Sequence, residues 1–437
     1  MKRASRIVLT VGCLLIIIVS WIIVLAAKSN SEKQANLLAL ASEYLEDEIY
    51  IYAAPLLEEA AALNAAYTYQ VETALKDVYL HLIDQGGYRR KYLSLLEKQM
   101  NRREALPEVF MEAANFYLEG SKIADACAVL RAGIAKTGSE ELITLYENNR
   151  YEYRMGYETY EDVTEIYGTT IGVKREGLWG MAYSDGTLQI PCQYEKISTY
   201  SAGRVIVQKN GVIYAVDDLN NRLALLKKGA ADFGNFTDDR VSVLTNQGWQ
   251  RASGDFTIGS MVFERIGAYS GGYAAAKQNG KWGVIDRSTA WLIPAVYDRV
   301  IMDELGRSYA QGSVFVKKGD SVYLFVDGKQ AEGAYEDAKP FGEQGYAAVK
   351  KNGKWGFINT AAEVIIDYQF EDARSFSQHL AAVKESEFWG YINLSGKIVI
   401  EPIFLEAKSF GEGNAPVLTE RGWQFISLLE YRKGVSL

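Results

Sequence analysis

Histidine and cysteine are nearly missing from this 437-residue sequence: it has two of the first, His81 and His379, and three of the second, Cys13, Cys127 and Cys192. Zinc sites draw on clustered His and Cys, and none of these five residues clusters with another, so no metal site and no cofactor is expected. Cys13 falls in an apolar run, Cys127 reads as a small core residue of a helix, and Cys192 reads as an apolar strand end. That leaves no disulfide framework. His81 sits in the helical pattern Val78-Tyr79-Leu80-His81-Leu82, a packing or surface position. No Gly-x-Ser-x-Gly stands beside either histidine, which argues against a Ser–His–Asp triad. Walker loops and dinucleotide fingerprints are also missing. There is no excess of basic charge: 47 Lys and Arg face 55 Asp and Glu, net −8. The basic stripe that nucleic acid requires is therefore not expected. With 48% apolar and 23% charged residues the composition is that of a globular chain, which excludes wholesale disorder and collagen-like structure.

One long apolar run is present. Residues 7–27 are uncharged and rich in Ile, Val and Leu. As a helix they would span about 30 Å, the thickness of a bilayer core. Lys2, Arg3 and Arg6 precede the run, and Lys28 alone follows at once. The positive-inside rule then makes residues 1–6 a cytoplasmic stub and 7–27 a transmembrane signal-anchor, with the remainder at the cell surface. The competing reading is a cleaved signal peptide, with Val24-Leu25-Ala26 or Leu25-Ala26-Ala27 as the cleavage site. Its apolar run is longer than the usual core of such peptides.

Residues 31–165 are rich in Ala, Leu, Glu and Tyr and poor in Gly and Pro. Apolar residues recur at helical spacing, as in Leu37, Leu38, Ala41, Tyr44 and Leu45. Gly86-Gly87, Pro107, Gly120 and Gly138 punctuate the block into hairpins near 33–65, 68–103 and 106–138. The period, with small residues at Ala41, Ala53, Ala60, Ala113, Ala126 and Ala132, resembles the tetratricopeptide repeat, without its full Trp-Leu-Gly-Tyr signature. Residues 28–168 hold 24 acidic and 14 basic side chains. That excess reads either as solvated helix faces or as a groove for a basic partner.

From residue 166 the pattern changes to short strands and Gly turns. Two near-identical copies read Asn279-Gly280-Lys281-Trp282-Gly283-Val284-Ile285-Asp286 and Asn352-Gly353-Lys354-Trp355-Gly356-Phe357-Ile358-Asn359. Trp179-Gly180 and Trp389-Gly390 mark two more. Beyond each Trp follow an apolar strand, then Pro191, Pro294, Asp367 or Pro402, then Tyr194, Tyr297, Phe370 or Phe404. An acid usually comes next: Glu195, Asp298 or Glu371. Degenerate copies keep the phase at Ile213-Tyr214, Trp249, Val322-Tyr323 and Trp423. The key positions are 179, 213, 249, 282, 322, 355, 389 and 423. Their separations are 33 to 36 residues, apart from one of 40, and the last of the eight units is truncated. The block 166–437 closely resembles the bacterial WG-repeat family.

Each unit reads as a three-stranded meander whose Asn-Gly dipeptide suits a type I′ hairpin turn. One meander cannot bury its apolar face alone, so neighbours must stack. The repeat positions Trp179, Trp249, Trp282, Trp355, Trp389 and Trp423 are accordingly read as packing residues. Gly180, Gly283, Gly356 and Gly390 are read as points where another backbone comes close. We expect a β-propeller-like ring, which leaves few sheet edges exposed, over an open β-solenoid. The whole would be multidomain, α then β. What repeats is packing and not a reactive group, so no catalysis is expected. The family resemblance implies interaction modules. The expected function is a membrane-anchored surface scaffold that binds a protein or peptide. The alternatives are a cell-wall glycan binder, motivated by 29 Tyr and 8 Trp, and a glycan hydrolase.

Overall fold

The computed structural model describes the backbone of residues 2–225 and 229–431, and the side chains of Ser20, 25–223 and 229–431. The chain divides into two compact units, Met1–Asn149 and Arg150–Leu437.

The first unit is helical: α1 Lys2–Glu46, α2 Tyr50–Ala62, α3 Thr68–His81, α4 Tyr88–Met100, α5 Pro107–Glu119, α6 Ile123–Thr137 and α7 Glu140–Asn149. Pro107 occupies the first turn of α5, where its missing N–H costs nothing. Gly138 ends α6 in the left-handed conformation, φ 66°. Small and branched residues, among them Ala41, Ala53, Leu57, Ala60, Val71 and Leu96, form one core. Phe110, Ala114, Cys127, Leu130 and Leu142 form a second.

The expectation of a membrane anchor over 7–27, and the single-pass localisation built on it, require correction. Among the described residues, no helix is long and apolar enough to cross a membrane. The side chains of 7–19 and 21–24 lie outside the described residues. The described part of α1 is polar after Ala27, with Lys28, Ser29, Asn30, Glu32 and Lys33. It then packs into the helical core. Buried Gln34 donates to Ala60 O at 3.0 Å and accepts the Tyr67 N–H at 2.7 Å, so its amide is satisfied by protein.

The second unit is an eight-bladed β-propeller. Its eight sheets follow one another along the chain. Blades 1 to 7 occupy residues 162–194, 196–225, 232–253, 265–297, 299–330, 337–370 and 372–404, and blade 8 occupies 406–428. Blade 8 looks truncated in sequence because its fourth strand comes from the other end of the unit. Tyr153–Met155 pairs antiparallel with Gly422–Leu428, Tyr153 opposite Leu428. This pairing closes the ring. Strands therefore begin before residue 166, where their pattern first becomes legible. Blade 3 is the irregular one: three regular strands, with isolated bridges Trp249–Phe263 and Ala252–Ile258 in place of a fourth.

Within a blade the repeat sequence has direct geometric consequences. Asn352 and Gly353 take φ of 52° and 76°, as a type I′ turn demands. The hairpin then sets Lys350 opposite Trp355 and Val349 opposite Gly356. The acid of the repeat ties down this turn from the start of the blade. Glu195 accepts the N–H groups of Asn210 and Gly211 at 2.7 and 3.3 Å. Asp298 accepts Gly319 at 2.8 Å, and Glu336 accepts Gly353 at 3.0 Å. These carboxylates are turn clamps.

Candidate functional site at the hub of the ring

Each blade opens with a strand of about two residues, and the residues just after it face the hub. Their side chains meet across blades that are far apart in the ring. Arg374 of blade 7 donates from Nη1 to Glu165 of blade 1 at 2.9 Å and to Glu304 of blade 5 at 2.7 Å. Its Nη2 reaches Glu406 of blade 8 at 3.0 Å, and its Nε donates to Ala407 O at 2.7 Å. Lys408 of blade 8 closes a short ion pair with the second oxygen of Glu304. Only at the ring centre can groups from blades 1, 5, 7 and 8 share one network. Lys408 is 5% exposed and Arg374 16%, while Glu304 is 42% exposed.

Glu304 gets there through an insertion. The spacing of 40 residues from Trp282 to Val322 arises from a loop at 302–308 that other blades lack. Asp303 accepts the Arg307 N–H at 2.8 Å and its Nε–H at 2.7 Å. Gly306 turns at φ 83°. The loop is moored to blade 3 by Asn235 Nδ2 donating to Leu305 O at 2.9 Å, and to blade 4 by Ala268 N donating to Gly306 O at 2.8 Å. Arg307 lies over the Tyr167 ring of blade 1, 5.6 Å from its centroid.

A cavity of about 870 Å³ opens beside this network. Its walls come from the hub ends of blades 1 and 4 to 8, and include Glu165, Glu304, Lys339, Arg374 and Glu406. Burial raises the Glu165 carboxyl above its ordinary value, outweighing the opposing pull of Arg374 and Lys408. Burial also acts on Glu304, but there the two cations prevail and the carboxyl is lowered.

The Trp positions of the repeat do not line a common groove. Trp249, Trp355, Trp389 and Trp423 are buried in separate blade cores, and Trp179 and Trp282 are half-buried. Several carry a cation on one face: Arg265 over Trp249 at 5.1 Å, Lys339 over Trp355 at 5.0 Å, Arg374 over Trp389 at 5.7 Å and Lys408 over Trp423 at 5.1 Å. The Gly partners are backbone contact points. A Cβ on Gly180, Gly283, Gly356 or Gly390 would stand 2.4 to 2.7 Å from the carbonyl oxygen of Ile190, Ile293, Ile366 or Ile400.

None of His81, His379, Cys127 and Cys192 belongs to the hub network, nor do the turn acids Asp217 and Asp238. His81 is exposed and stacks on Tyr50 at 4.0 Å. His379 sits in a turn at φ 65°. Cys127 is buried and Cys192 half-buried. Asp217 closes its own turn by accepting the Leu219 and Asn221 N–H groups at 3.0 and 2.7 Å. Asp238 accepts the Gly272 N–H at 2.7 Å and pairs with Arg287 at 3.3 Å. Among the described residues no group of His, Cys, Asp and Glu has the makings of a metal site.

Sequence reasoning missed Arg374, Lys408, Glu304 and Glu165. The signal was there in phase: the residue after the opening dipeptide is Thr164, Ser198, Gly234, Gly267 and Ile301 in blades 1 to 5, then Lys339, Arg374 and Lys408 in blades 6 to 8.

The family model described as "WG containing repeat" matches residues 171–212, 260–282, 331–355, 355–387 and 389–423. WG repeats thus recur through most of the propeller. No curated protein matches the chain. Among solved structures, a eukaryotic initiation factor is similar at 10% identity and TM-score 0.40, over 58% of this chain and 78% of that one. Hsv2 of Kluyvelomyces marxianus is similar at 10% identity and TM-score 0.35, over 58% of this chain and 86% of its own. The ring itself is established by the strand pairing and not by these likenesses.

Proposed function

We propose that this protein is a non-catalytic binding protein that takes a protein or peptide segment into the hub cavity of its propeller. The observation that carries the reading is the cavity itself, about 870 Å³ and built jointly by blades 1 and 4 to 8. A concave site with convergent polar groups is the default place for recognition. A closed propeller also has few free edges on which a strand could add. The charged groups support binding over chemistry: Arg374 and Lys408 are engaged by carboxylates, and the acids of the repeat clamp turns. The Trp residues that motivated glycan recognition are largely in blade cores and offer no stacking stripe.

Photo-crosslinking in cells tests this. A photoreactive amino acid replaces Ser409, at the cavity wall, in the full chain. A second chain carries it at Val364, 47% exposed on a blade's last strand. The reading requires a discrete adduct from position 409 and none from 364. Adducts from 364 alone would place recognition on the outer edges and sink it.

A further inference from the structure

We propose that Arg374 and Lys408 form a receptor for a single carboxylate on the incoming peptide, and that Glu304 is a built-in stand-in for that carboxylate. This rests on the hub reading above and narrows it.

Three observations carry it. The first is the arc of cations. Blades 6, 7 and 8 each place a cation at the same position, and each cation leans on the Trp ring of its own blade at 5.0 to 5.7 Å. Cation–π contact of this kind fixes the positive charge without help from an acid. The arc therefore does not depend on Glu304 for its place.

The second is the origin of the acid. Glu304 belongs to the insertion at 302–308, a feature that the other repeat spacings lack. It is the most exposed member of the network, at 42%, against 9% for Glu165 and 5% for Lys408. Its two oxygens divide between Arg374 and Lys408, as a ligand carboxylate's would.

The third is charge. Lys339 lines the cavity and has no carboxylate partner among the described residues. With Glu304 withdrawn, Arg374 would keep its ion pairs with Glu165 and Glu406. Lys408, 5% exposed, would be left with no carboxylate partner among the described residues. One carboxylate restores the ion pair to Lys408; a polyanion would be repelled, because Glu343 and Glu412 also line the cavity. The same two acids favour basic residues on either side of the ligand's carboxylate. The partner is thus a peptide segment that presents one Asp or Glu between basic side chains. Binding exchanges Glu304 for that residue, with no covalent step.

The test uses the full chain and two fluorescent pentapeptides, Lys-Lys-Glu-Lys-Lys and Lys-Lys-Gln-Lys-Lys, read by anisotropy. The wild-type chain should prefer the Glu peptide. Glu304→Gln should tighten that peptide about tenfold or more, because an internal competitor is gone. Lys408→Met should erase the preference, with thermal melts confirming that each variant folds. Free glutamate and inorganic phosphate at equal concentration should compete far less well than the peptide. Equal binding of the two peptides to the wild-type chain would overturn this inference while leaving the hub reading intact. Failure of both peptides to bind, together with no crosslink from position 409, would remove the hub reading as well. Glu304→Gln needs to fold for its arm; the wild-type peptide comparison decides the question without it.

Discussion

Tyr160 and Trp423 exchange two backbone hydrogen bonds of 2.9 Å, joining the first blade to the last. The Tyr160 ring stands edge-on to Phe425 at 6.1 Å, and its hydroxyl donates to Gly186 O at 2.8 Å. Together with the Tyr153–Leu428 pairing, these contacts make the ring continuous. Replacing Tyr160, 2% exposed, removes a large buried side chain at the seam. Tyr160→Ala is expected to cost about 3–5 kcal/mol. Urea denaturation followed by Trp fluorescence reads it as a lowered midpoint. An unchanged midpoint would mean the seam contributes little to the fold.

The glycine beside each repeat Trp makes a second, sharper prediction. A methyl group on Gly283 would lie 2.4 Å from Ile293 O and 2.8 Å from Ala295 N, both backbone atoms that cannot swing away. Gly283→Ala should destabilise the propeller by about 1–3 kcal/mol or more through overpacking. Gly259 is the control. A Cβ there meets nothing closer than 3.5 Å, and its φ is one that other residues adopt. Gly259→Ala should shift the same urea midpoint hardly at all. Equal effects at the two sites would refute the close-approach reading of the repeat.

How much of this was legible in the sequence follows from what repeats. Hairpin turns and Trp-Gly positions recur in phase, so the eight units from Trp179 to Trp423 could be counted, with three strands expected in each where most blades have four. The opening strand of each blade, such as Asp372–Ala373, is too short to carry a hydrophobic period. The hub residues that follow it therefore went unnoticed. The last blade looked truncated because strand exchange between chain ends leaves no local signal, and Tyr153–Met155 carries three residues only. Glu304 showed solely as an irregular spacing. The acids after the aromatics were visible, but their task as turn clamps depends on a contact some 15 residues away, as between Glu195 and Asn210.

Those clamps give a third prediction. Glu195 is exposed, yet it accepts two turn N–H groups. Glu195→Gln keeps the shape and removes the charge, and the hairpin should lose about 1 kcal/mol. Native-state hydrogen exchange is the suitable readout, since the loss is local. Faster exchange at Asn210 and Gly211, with the neighbouring blades unaffected, is the expected result. Uniform change across the ring, or none, would count against a local clamp.

The hub network makes the last prediction, through pH. Two carboxylates of one cluster titrate in opposite senses. Glu165 has a folded pKa raised above the ordinary 4.5, because burial outweighs Arg374 and Lys408 and because Glu304 and Asp303 repel it. Its contribution to stability is therefore complete below the ordinary value and is lost as pH rises through the raised one. Glu304 has a folded pKa below 4.5, since Arg374 and Lys408 overcome its burial. Its contribution is present above the ordinary value and is lost as pH falls through the lowered one. Between those limits both terms favour the fold, so the hub is most stable in mildly acid solution. Each flank can be removed separately. Glu165→Gln should flatten the decline on the alkaline side and leave the acid limb in place. Glu304→Gln should do the reverse, lowering stability near neutral pH and softening the acid limb. Urea midpoints from pH 3 to pH 8 supply the curves, with Trp389 and Trp423 as reporters because Arg374 and Lys408 lie on their rings. If both variants shifted the same limb, the two carboxylates would be acting as one group, and Glu304 would lose its separate standing as the displaceable acid.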